Sequence, residues 1–301
     1  MEVAAAGFHH ILMIGPPGSG KTMMAKRLPT ILPDLTMEES LEVSTIYSVA
    51  GQLDTQQALI MHRPVLSPHH TISEQALAGG GRIPKPGVIS LAHRGVLFMD
   101  ELPEFRRGVL EILRQPLEDK QIHIARTYGS FTYPADFMLV AAMNPCPCGF
   151  YPDRNKCNCS ENEVKRYLNR ISGPILDRID ISIEVRAVDY DKMISKADGE
   201  SSSSMRKIVT DARKIQEKRF RENGVKIFSN SSMGIRDIEK FCILDSKAKN
   251  MLNMAMQKFS MSARSYNKIL KVARTIADIE NKEVIETSHI TEALQYRFNL
   301  N

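Results

Sequence analysis

Long apolar runs are missing from this chain of 301 residues. No stretch of 18 consecutive apolar residues occurs, which excludes an ordinary transmembrane helix and a membrane partner. The amino-terminus lacks a basic segment followed by a long apolar stretch, so it shows no secretory signal. Cysteine is also scarce: five residues argue against a disulfide scaffold and favour a cytoplasmic protein.

Length and composition limit the classes of protein to which this chain can belong. A chain of this length with 43% hydrophobic residues can form two domains with sizeable cores. The formal net charge of +5 is compatible with nucleic-acid binding, although a solvated surface explains it equally well.

The most informative segment is an eight-residue loop that matches G-x-x-x-x-G-K-[ST]. It consists of Gly15, Pro16, Pro17, Gly18, Ser19, Gly20, Lys21 and Thr22. An apolar run precedes it and helix-forming residues follow, which is the context that phosphate binding requires. Backbone N–H groups of such a loop wrap a phosphate chain, and the following helix directs its positive end at the anion. We therefore predict binding of a nucleoside triphosphate, with Lys21 at the β- and γ-phosphates and Thr22 as a Mg²⁺ ligand.

A second apolar run, at 96–99, ends on two adjacent carboxylates. A run without alternation is typical of a buried parallel strand, and the ends of such strands meet the ligand crevice of an α/β sheet. We expect Asp100 to complete the Mg²⁺ site and Glu101 to orient and deprotonate the attacking water. A third apolar run, at 137–143, ends at Asn144. Its amide is placed to sense the γ-phosphate or the water.

Four of the five cysteines follow Asn144 closely, in the spacing C-x-C-x8-C-x-C. They are Cys146, Cys148, Cys157 and Cys159, within a tetracysteine loop at 146–159. Clustered thiols in a reducing compartment favour a tetrahedral structural Zn²⁺ site, and four thiolates leave no open catalytic position. Unliganded thiols and a redox or other metal role are the alternatives.

The chain divides into three parts by composition. Residues 1–188 show the strand–loop–helix order of an α/β nucleotide-binding domain with a parallel sheet. Residues 189–204 are rich in Asp, Gly and Ser, which predicts a flexible linker. Residues 205–301 show helical spacing and predict a small helical lid, with helices at 205–223, 234–241, 245–259, 263–281 and 288–297.

Two insertions interrupt the first domain. Residues 63–93 hold several prolines and three consecutive glycines, so we expect a long loop rather than a packed element. Residues 120–134 alternate around a glycine and predict a β-hairpin.

Together these segments carry a family resemblance that spans nearly the whole chain. The matching segments are 4–7, 67–71, 78–81, 100–105, 142–149 and 273–278. They resemble the AAA+ ATPases, and more narrowly the Mg-chelatase-like ComM/YifB family. The resemblance implies a ring, most simply a homo-hexamer, with nucleotide bound between subunits. Family members normally carry an amino-terminal Lon-protease-like domain, so we expect this chain to represent the ATPase core.

The resemblance also suggests two arginines for the γ-phosphate. Arg178 matches the region of the arginine finger, which acts on the neighbouring subunit, and Arg170 is the reserve candidate. The alternative for Arg178 is a surface ion-pair cluster with the flanking carboxylates. Arg264 resembles the second sensor arginine. Its position at a helix amino-terminus is unfavourable for a cation, which mildly supports an anionic partner.

The two insertions take roles in the same family. His69 and His70 fall in what resembles a pore-side loop. In helicase-like relatives a hairpin such as 120–134 faces the central pore, where Lys120, Arg126 and Tyr128 would suit phosphate contact and base stacking. A solvated hairpin with incidental charge is the equal alternative.

The resemblance implies a function as well as a fold. We expect a Mg²⁺-dependent ATPase motor that acts on DNA, such as a branch-migration helicase in natural transformation. The alternative is a chelatase-type motor that remodels a protein partner for Mg²⁺ insertion into a porphyrin. A non-catalytic scaffold is a third class, and the intact pair of Asp100 and Glu101 argues against it.

Overall fold

The structure is a computed structural model that describes residues 1–53, 59–126, 129–186 and 199–297. The helices of these residues are α1 (Glu2–Gly7), α2 (Lys21–Ile31), α3 (Met37–Ala50), α4 (Glu74–Ala78), α5 (Val88–Leu91), α6 (Arg107–Ile112), α7 (Arg114–Asp119), α8 (Glu161–Leu168), α9 (Gly173–Leu176), α10 (Ser202–Glu222), α11 (Ile235–Phe241), α12 (Ser246–Lys258), α13 (Ala263–Ile279) and α14 (Thr287–Gln295). The strands are β1 (Ile11–Ile14), β2 (Val65–Leu66), β3 (Gly79–Gly80), β4 (Lys85–Pro86), β5 (Val96–Met99), β6 (Gln121–Arg126), β7 (Gly129–Pro134), β8 (Met138–Met143) and β9 (Ile181–Glu184).

A five-stranded parallel sheet in the order β2-β5-β8-β1-β9 forms the centre of the first domain. Every residue of β1, β5 and β8 is buried, because helices cover both faces of the sheet. This explains why the three strands are apolar without alternation. The predicted α/β class with a parallel sheet and a helical carboxyl-terminal region is confirmed.

The predicted hairpin at 120–134 is present as the antiparallel pair β6–β7. Its register runs from Gln121 opposite Pro134 to Arg126 opposite Gly129. Ile122 and Ile124 point into the protein, whereas the β7 residues are largely exposed. The expected stacking residue Tyr128 lies outside the described residues.

The prediction that 63–93 is a long loop without packed elements was wrong. The segment contains β2, α4, the β3–β4 pair and α5, and its Leu77 and Ile89 side chains are fully buried. The prolines and glycines separate short elements here, while isolated apolar side chains anchor each element to the core. Short pieces of this kind carry too little periodicity to be recognised in the sequence.

The five predicted carboxyl-terminal helices correspond to α10–α14. Helix α10 begins at Ser202, because the Ser201 side chain accepts a hydrogen bond from the Ser204 N–H. The end of the predicted linker at 189–204 is therefore helical, and its part at 189–198 lies outside the described residues.

The helical region packs directly on the sheet domain through α1. Phe8, at the end of α1, meets the Phe228 ring edge-on at 5.1 Å. The Gln216 side chain of α10 donates to the Ala6 carbonyl over 3.0 Å, and His9 Nε2 lies 2.8 Å from the Thr275 hydroxyl. One apolar core runs from β1 into α13, so the two regions share their packing. Among the described helices, none is long and apolar enough to cross a bilayer.

Candidate nucleotide site

The phosphate loop and the polar residues at 100, 101 and 144 lie at one edge of the sheet. Strands β1, β5 and β8 are parallel neighbours, with Ile14 paired to Met143 and Met99 to Ala141. The loop is fixed to this edge by the Gly15 N–H, which donates to the Met143 carbonyl over 3.2 Å. The residues that follow these strand ends are therefore neighbours in space.

Lys21 begins α2 with its side chain folded back over the loop. Its ammonium donates to the Gly15 and Pro16 carbonyls, each at 2.8 Å, and to Asn144 Oδ1 at 3.2 Å. Burial lowers the pKa of Lys21 below its usual value, and the nearby carboxylate of Asp100 opposes this shift. The cation is held by neutral oxygens in a position where phosphate oxygens can replace them.

Two oxygen ligands suited to Mg²⁺ lie together beside Lys21. The Thr22 hydroxyl donates to Asp100 Oδ2 over 2.7 Å. Asp100 Oδ1 accepts from the Glu101 N–H at 3.0 Å, which fixes the carboxylate. A hydroxyl and a carboxylate are hard donors of the type that Mg²⁺ prefers, so the residues present fit this ion.

Glu101 stands at the mouth of the site with a left-handed backbone, at φ 52°. Its side chain is 61% exposed, so it can reach a water molecule. His70 Nδ1 lies 3.7 Å from the Glu101 carboxylate, a neighbour that sequence reasoning assigned only to a pore-side loop. No sequence signal marked this contact, because the two residues are 31 positions apart on separate loops.

The two predicted arginines do not join this group. Arg178 and Arg264 both bind the carboxylate of Glu118 at the end of α7, with Arg264 Nη2 at 2.9 Å from Glu118 Oε1. The Arg178 side chain also donates to the Pro174 carbonyl over 2.6 Å and is largely buried. A carboxylate shared by two distant arginines was not foreseen from the sequence.

The Glu118 cluster lies at the amino-terminal edge of the sheet, opposite the phosphate loop. The Asp180 and Ile181 N–H groups, just after Arg178, both donate to the carbonyl of His10, which precedes β1. A strand of four residues spans about 13 Å, which separates this edge from the loop that follows β1. Arg178 is therefore directed away from the phosphate loop of its own chain.

The reserve arginine has a different position. Arg170 pairs with Glu104, at 2.9 Å and 3.0 Å from its two carboxylate oxygens. Glu104 follows the carboxyl end of β5, so Arg170 lies on the same edge as the phosphate loop. The two arginine candidates thus occupy opposite edges of one sheet.

Of the three hairpin residues predicted to contact nucleic acid, Lys120 is the one whose side chain the structure describes. Lys120 lies at its base, where the ammonium pairs with Asp136 at 3.1 Å and contacts Ser232. That Lys120 suits phosphate contact stays a prediction, and the paired strands of the hairpin begin only after this residue. Arg126 belongs to β6, and its side chain lies outside the described part of the chain.

The four cysteines predicted to bind a metal converge. Their sulfur atoms all lie within 4.8 Å of one another, and all four thiols are free. The Sγ–Sγ separations include 3.3 Å for Cys146–Cys148 and 3.5 Å for Cys148–Cys157. Four thiolates at about 2.3 Å from one Zn²⁺ ion lie roughly 3.8 Å apart, so the cluster has the size of a tetrahedral zinc site.

The backbone around these thiols also favours a metal. The Gly149 and Tyr151 N–H groups donate to Cys146 Sγ at 3.2 Å and 3.4 Å. A hydrogen bond from the Phe150 backbone lowers the pKa of the Cys148 thiol to about 6. Such bonds stabilise negative charge on the sulfur atoms of Cys146 and Cys148, and the thiolate is the form that binds a metal. Burial acts in the opposite direction on Cys157, where it raises the pKa of the thiol.

The parallel sheet, the phosphate loop and the polar strand ends define the α/β fold of the P-loop class. Two family models match the chain: Magnesium chelatase, subunit ChlI, over residues 1–193, and Magnesium chelatase, subunit ChlI C-terminal, over residues 199–297. The chain therefore belongs to the Mg-chelatase family of AAA+ proteins.

Two relatives show the branch of the family. The chain is 46% identical over 299 residues to the YifB protein of Escherichia coli K12, and 46% identical over 302 residues to the competence protein ComM of Haemophilus influenzae. Each alignment covers 99% of this chain and 57% of the relative, so the chain spans a little over half of their length. The predicted resemblance is confirmed. The Magnesium-chelatase 67 kDa subunit of Chlorobaculum parvum is 30% identical over 129 residues, 42% of this chain and 18% of that protein.

Proposed function

We propose that this protein hydrolyses ATP with the aid of Mg²⁺. The observation that carries the proposal is the convergence of Lys21, Thr22, Asp100, Glu101 and Asn144 on one edge of the sheet. The hydrogen bond between the Thr22 hydroxyl and Asp100 joins the two expected Mg²⁺ ligands directly. A binding protein without turnover needs no carboxylate next to that pair.

Each residue has a distinct task in this proposal. The N–H groups of the phosphate loop and the Lys21 ammonium bind the β- and γ-phosphates. Thr22 and Asp100 hold the Mg²⁺ ion, which when bound neutralises charge on the phosphate oxygens. Glu101 accepts a proton from the attacking water, and its exposure leaves room for that water. Asn144 donates a hydrogen bond from its amide Nδ2 to a γ-phosphate oxygen.

We further propose a hexameric ring in which Arg178 and Arg264 act on the nucleotide of the neighbouring subunit. Both arginines point away from the phosphate loop of their own chain, and Glu118 holds them together. An arginine that enters in trans stabilises the charge that develops on the γ-phosphoryl group. Arg170, which faces Glu104, is then left to position elements within its own chain.

The proposed substrate of the motor is DNA. The name of the ComM relative refers to competence, and the antiparallel β6–β7 hairpin is an element that can project into the pore of a ring. A chelatase-type motor acting on a protein partner is the second candidate, favoured by the match to the magnesium-chelatase models. The two candidates differ in whether DNA changes the rate of hydrolysis.

We also propose that the four cysteines bind a structural Zn²⁺ ion and that the protein works in the cytoplasm. The tight grouping of four free thiols supports the first proposal, and the need of such thiols for a reducing compartment supports the second. Four protein ligands close the coordination sphere, so this ion would have no catalytic position.

The test is ATPase activity with and without single-stranded and branched double-stranded DNA, at low and moderate salt. We expect hydrolysis that disappears in Lys21→Ala, and stimulation by DNA that weakens steeply as salt rises. Hydrolysis that DNA leaves unchanged would favour the protein-remodelling candidate. Glu101→Gln should bind ATP but lose turnover, and normal turnover in that variant would contradict its role.

A further inference from the structure

The tetracysteine loop approaches the phosphate loop closely at Gly149. Gly149 has φ 88°, and a Cβ atom added there would lie 2.4 Å from Cδ and 2.7 Å from Cγ of Pro17. Contacts this short do not occur, so only glycine allows the two loops to approach so closely. The Pro17 ring therefore rests on the Gly149 backbone.

The same glycine is held by one of the cysteines. The Gly149 N–H donates to Cys146 Sγ over 3.2 Å, and its backbone also bonds to the Cys146 carbonyl at 3.0 Å. A rearrangement at the Cys146 sulfur would thus move the residue that supports Pro17. Gly149 therefore connects the sulfur cluster directly to the phosphate loop.

A second connection leads from the cluster to the nucleotide site along the backbone. Asn144 lies two residues before Cys146, and its side chain accepts the hydrogen bond from Lys21 at 3.2 Å. The position of the sulfur cluster thus bears on both Pro17 and Asn144, at two points around the expected phosphates.

The tetracysteine loop has little apolar packing of its own. The buried residues of its core are Cys146, Cys157 and Val164 of α8. A core of this size cannot hold a loop of fourteen residues in one conformation, and small units of this kind are usually fixed by a metal or a disulfide. All four thiols are free and their sulfur atoms lie within 4.8 Å of one another, which favours the metal.

We propose that a Zn²⁺ ion bound by Cys146, Cys148, Cys157 and Cys159 shapes the phosphate loop, so that occupancy of the zinc site sets the affinity for ATP. Zinc holds the loop in the form in which Gly149 supports Pro17 and Asn144 faces Lys21. This inference rests on the proposed ATP and zinc sites and adds the coupling between them.

The first experiment measures metal content and nucleotide affinity on the same protein. Zinc is quantified by mass spectrometry, and the affinity for a fluorescent ATP analogue is titrated before and after removal of zinc by a chelator. We expect one zinc per chain and an affinity about tenfold weaker in the stripped protein, restored when zinc is added back. Circular dichroism of the stripped protein shows whether the helices remain folded.

The second experiment tests the contact without replacing any of the four cysteines. Gly149→Ala retains all four cysteines but places a methyl group against Pro17. We expect it to keep its zinc and to bind the ATP analogue about tenfold more weakly. The matched control is Gly224→Ala, since Gly224 also has positive φ, at 66°, but nothing lies within 4 Å of the added Cβ.

The outcomes distinguish a failure of the coupling from a failure of zinc binding or of ATP binding. Wild-type affinity for the ATP analogue in both the stripped protein and Gly149→Ala would overturn the coupling, even where the purified wild-type protein carries zinc. A protein that carries no zinc as purified and takes up none would overturn the zinc site and leave ATP binding standing. Wild-type protein that failed to bind the analogue would contradict the proposed ATPase itself.

Discussion

The ammonium of Lys21 donates a hydrogen bond to Oδ1 of Asn144 over 3.2 Å. The two residues are 123 positions apart, and each follows a strand of the parallel sheet, β1 and β8. Their contact places the proposed γ-phosphate sensor within reach of the cation that would bind the same phosphate. A γ-phosphate oxygen can replace Asn144 Oδ1 as the acceptor of the Lys21 ammonium, which frees the Asn144 side chain for another partner.

Asn144→Ala should therefore affect turnover more than binding. Lys21 keeps its bonds to the Gly15 and Pro16 carbonyls in this variant, so the phosphate loop retains its shape. We expect ATP affinity within about threefold of wild type and kcat lower by roughly 10²-fold, the usual effect of removing one polar group at developing charge. Equilibrium binding and steady-state kinetics on the same preparation separate the two.

The control for this variant is Asn155→Ala. Asn155 is an exposed asparagine of the tetracysteine loop, and its backbone N–H donates to Asp153 Oδ1 over 3.0 Å. It should leave both binding and kcat unchanged. A large loss of ATP affinity in Asn144→Ala with unchanged kcat would contradict the sensing role.

The position of Arg178 on the far edge of the sheet leads to a mixing experiment. If Arg178 acts in trans, Arg178→Ala lowers hydrolysis by roughly 10³-fold although its own phosphate loop is intact. Glu101→Gln is also inactive but still carries Arg178. Mixed rings of the two variants contain interfaces with an intact Glu101 on one side and an intact Arg178 on the other. We expect ATPase activity of the mixture well above that of either variant alone.

A matched arginine separates this effect from a loss of surface charge. Arg114 makes an exposed pair with Glu111 one helical turn away, at 2.8 Å, and Arg114→Ala should retain full activity. Equal activity of the mixture and of the separate variants would show that Arg178 does not complete a neighbouring site.

Much of the sheet domain could be predicted because its strands are buried on both faces. The runs at 11–14, 96–99 and 137–143 stand out as apolar segments between loops, and the residues after them carry the polar groups of the site. The order of strands in the sheet then brings those groups together without further information. The carboxyl-terminal helices could also be predicted, since α13 has one broad apolar stripe over its whole length.

The contacts between distant segments could not be predicted. The approach of His70 to Glu101, the pairing of Lys120 with Asp136 and the bridging of two arginines by Glu118 all depend on tertiary packing. Charged side chains look alike in a sequence whether they meet a partner, a ligand or water. Tertiary packing of isolated apolar side chains such as Leu77 and Ile89 likewise organises the segment 63–93, whose prolines and glycines alone predict a loop.

Asp278 provides a prediction about stability in the helical region. Its carboxylate is fully buried in α13 and accepts hydrogen bonds from Arg219, from Arg274 Nε at 3.1 Å and from Asn230 Nδ2 at 2.8 Å. Asp278→Ala leaves the buried guanidinium of Arg274 and the largely buried one of Arg219 without their anion. We expect a loss of about 3–5 kcal/mol in the free energy of unfolding, measured by urea titration followed by circular dichroism.

The control for that variant is an exposed aspartate on a neighbouring helix. Asp211 of α10 pairs loosely with Lys214 at 3.4 Å, and both side chains are more than half exposed. Asp211→Ala should change the free energy of unfolding by less than about 0.5 kcal/mol. An equal loss in the two variants would show that burial of the Asp278 network contributes nothing specific.

His10 makes the stability of the protein depend on pH in the acidic range. Burial lowers its pKa to about 4, although Asp180 opposes the shift, and Nδ1 accepts the Leu139 N–H at 3.1 Å, which requires a neutral ring nitrogen. In the unfolded chain the histidine titrates near 6.5, so below that pH the unfolded state binds the proton first. The stabilising contribution is therefore complete above pH 6.5 and is lost as pH falls toward 4.

His10→Asn should remove this part of the pH dependence, because an amide oxygen can still accept the Leu139 N–H but does not titrate. Urea unfolding at pH 7.5 and 4.5 measures the effect. We expect wild type to lose on the order of 2 kcal/mol more between the two pH values than His10→Asn does. The exposed His62 gives the matched variant His62→Asn, which should follow wild type at both pH values. If His10→Asn also followed wild type, the ring would have to bind its proton in the folded protein as readily as in the unfolded chain.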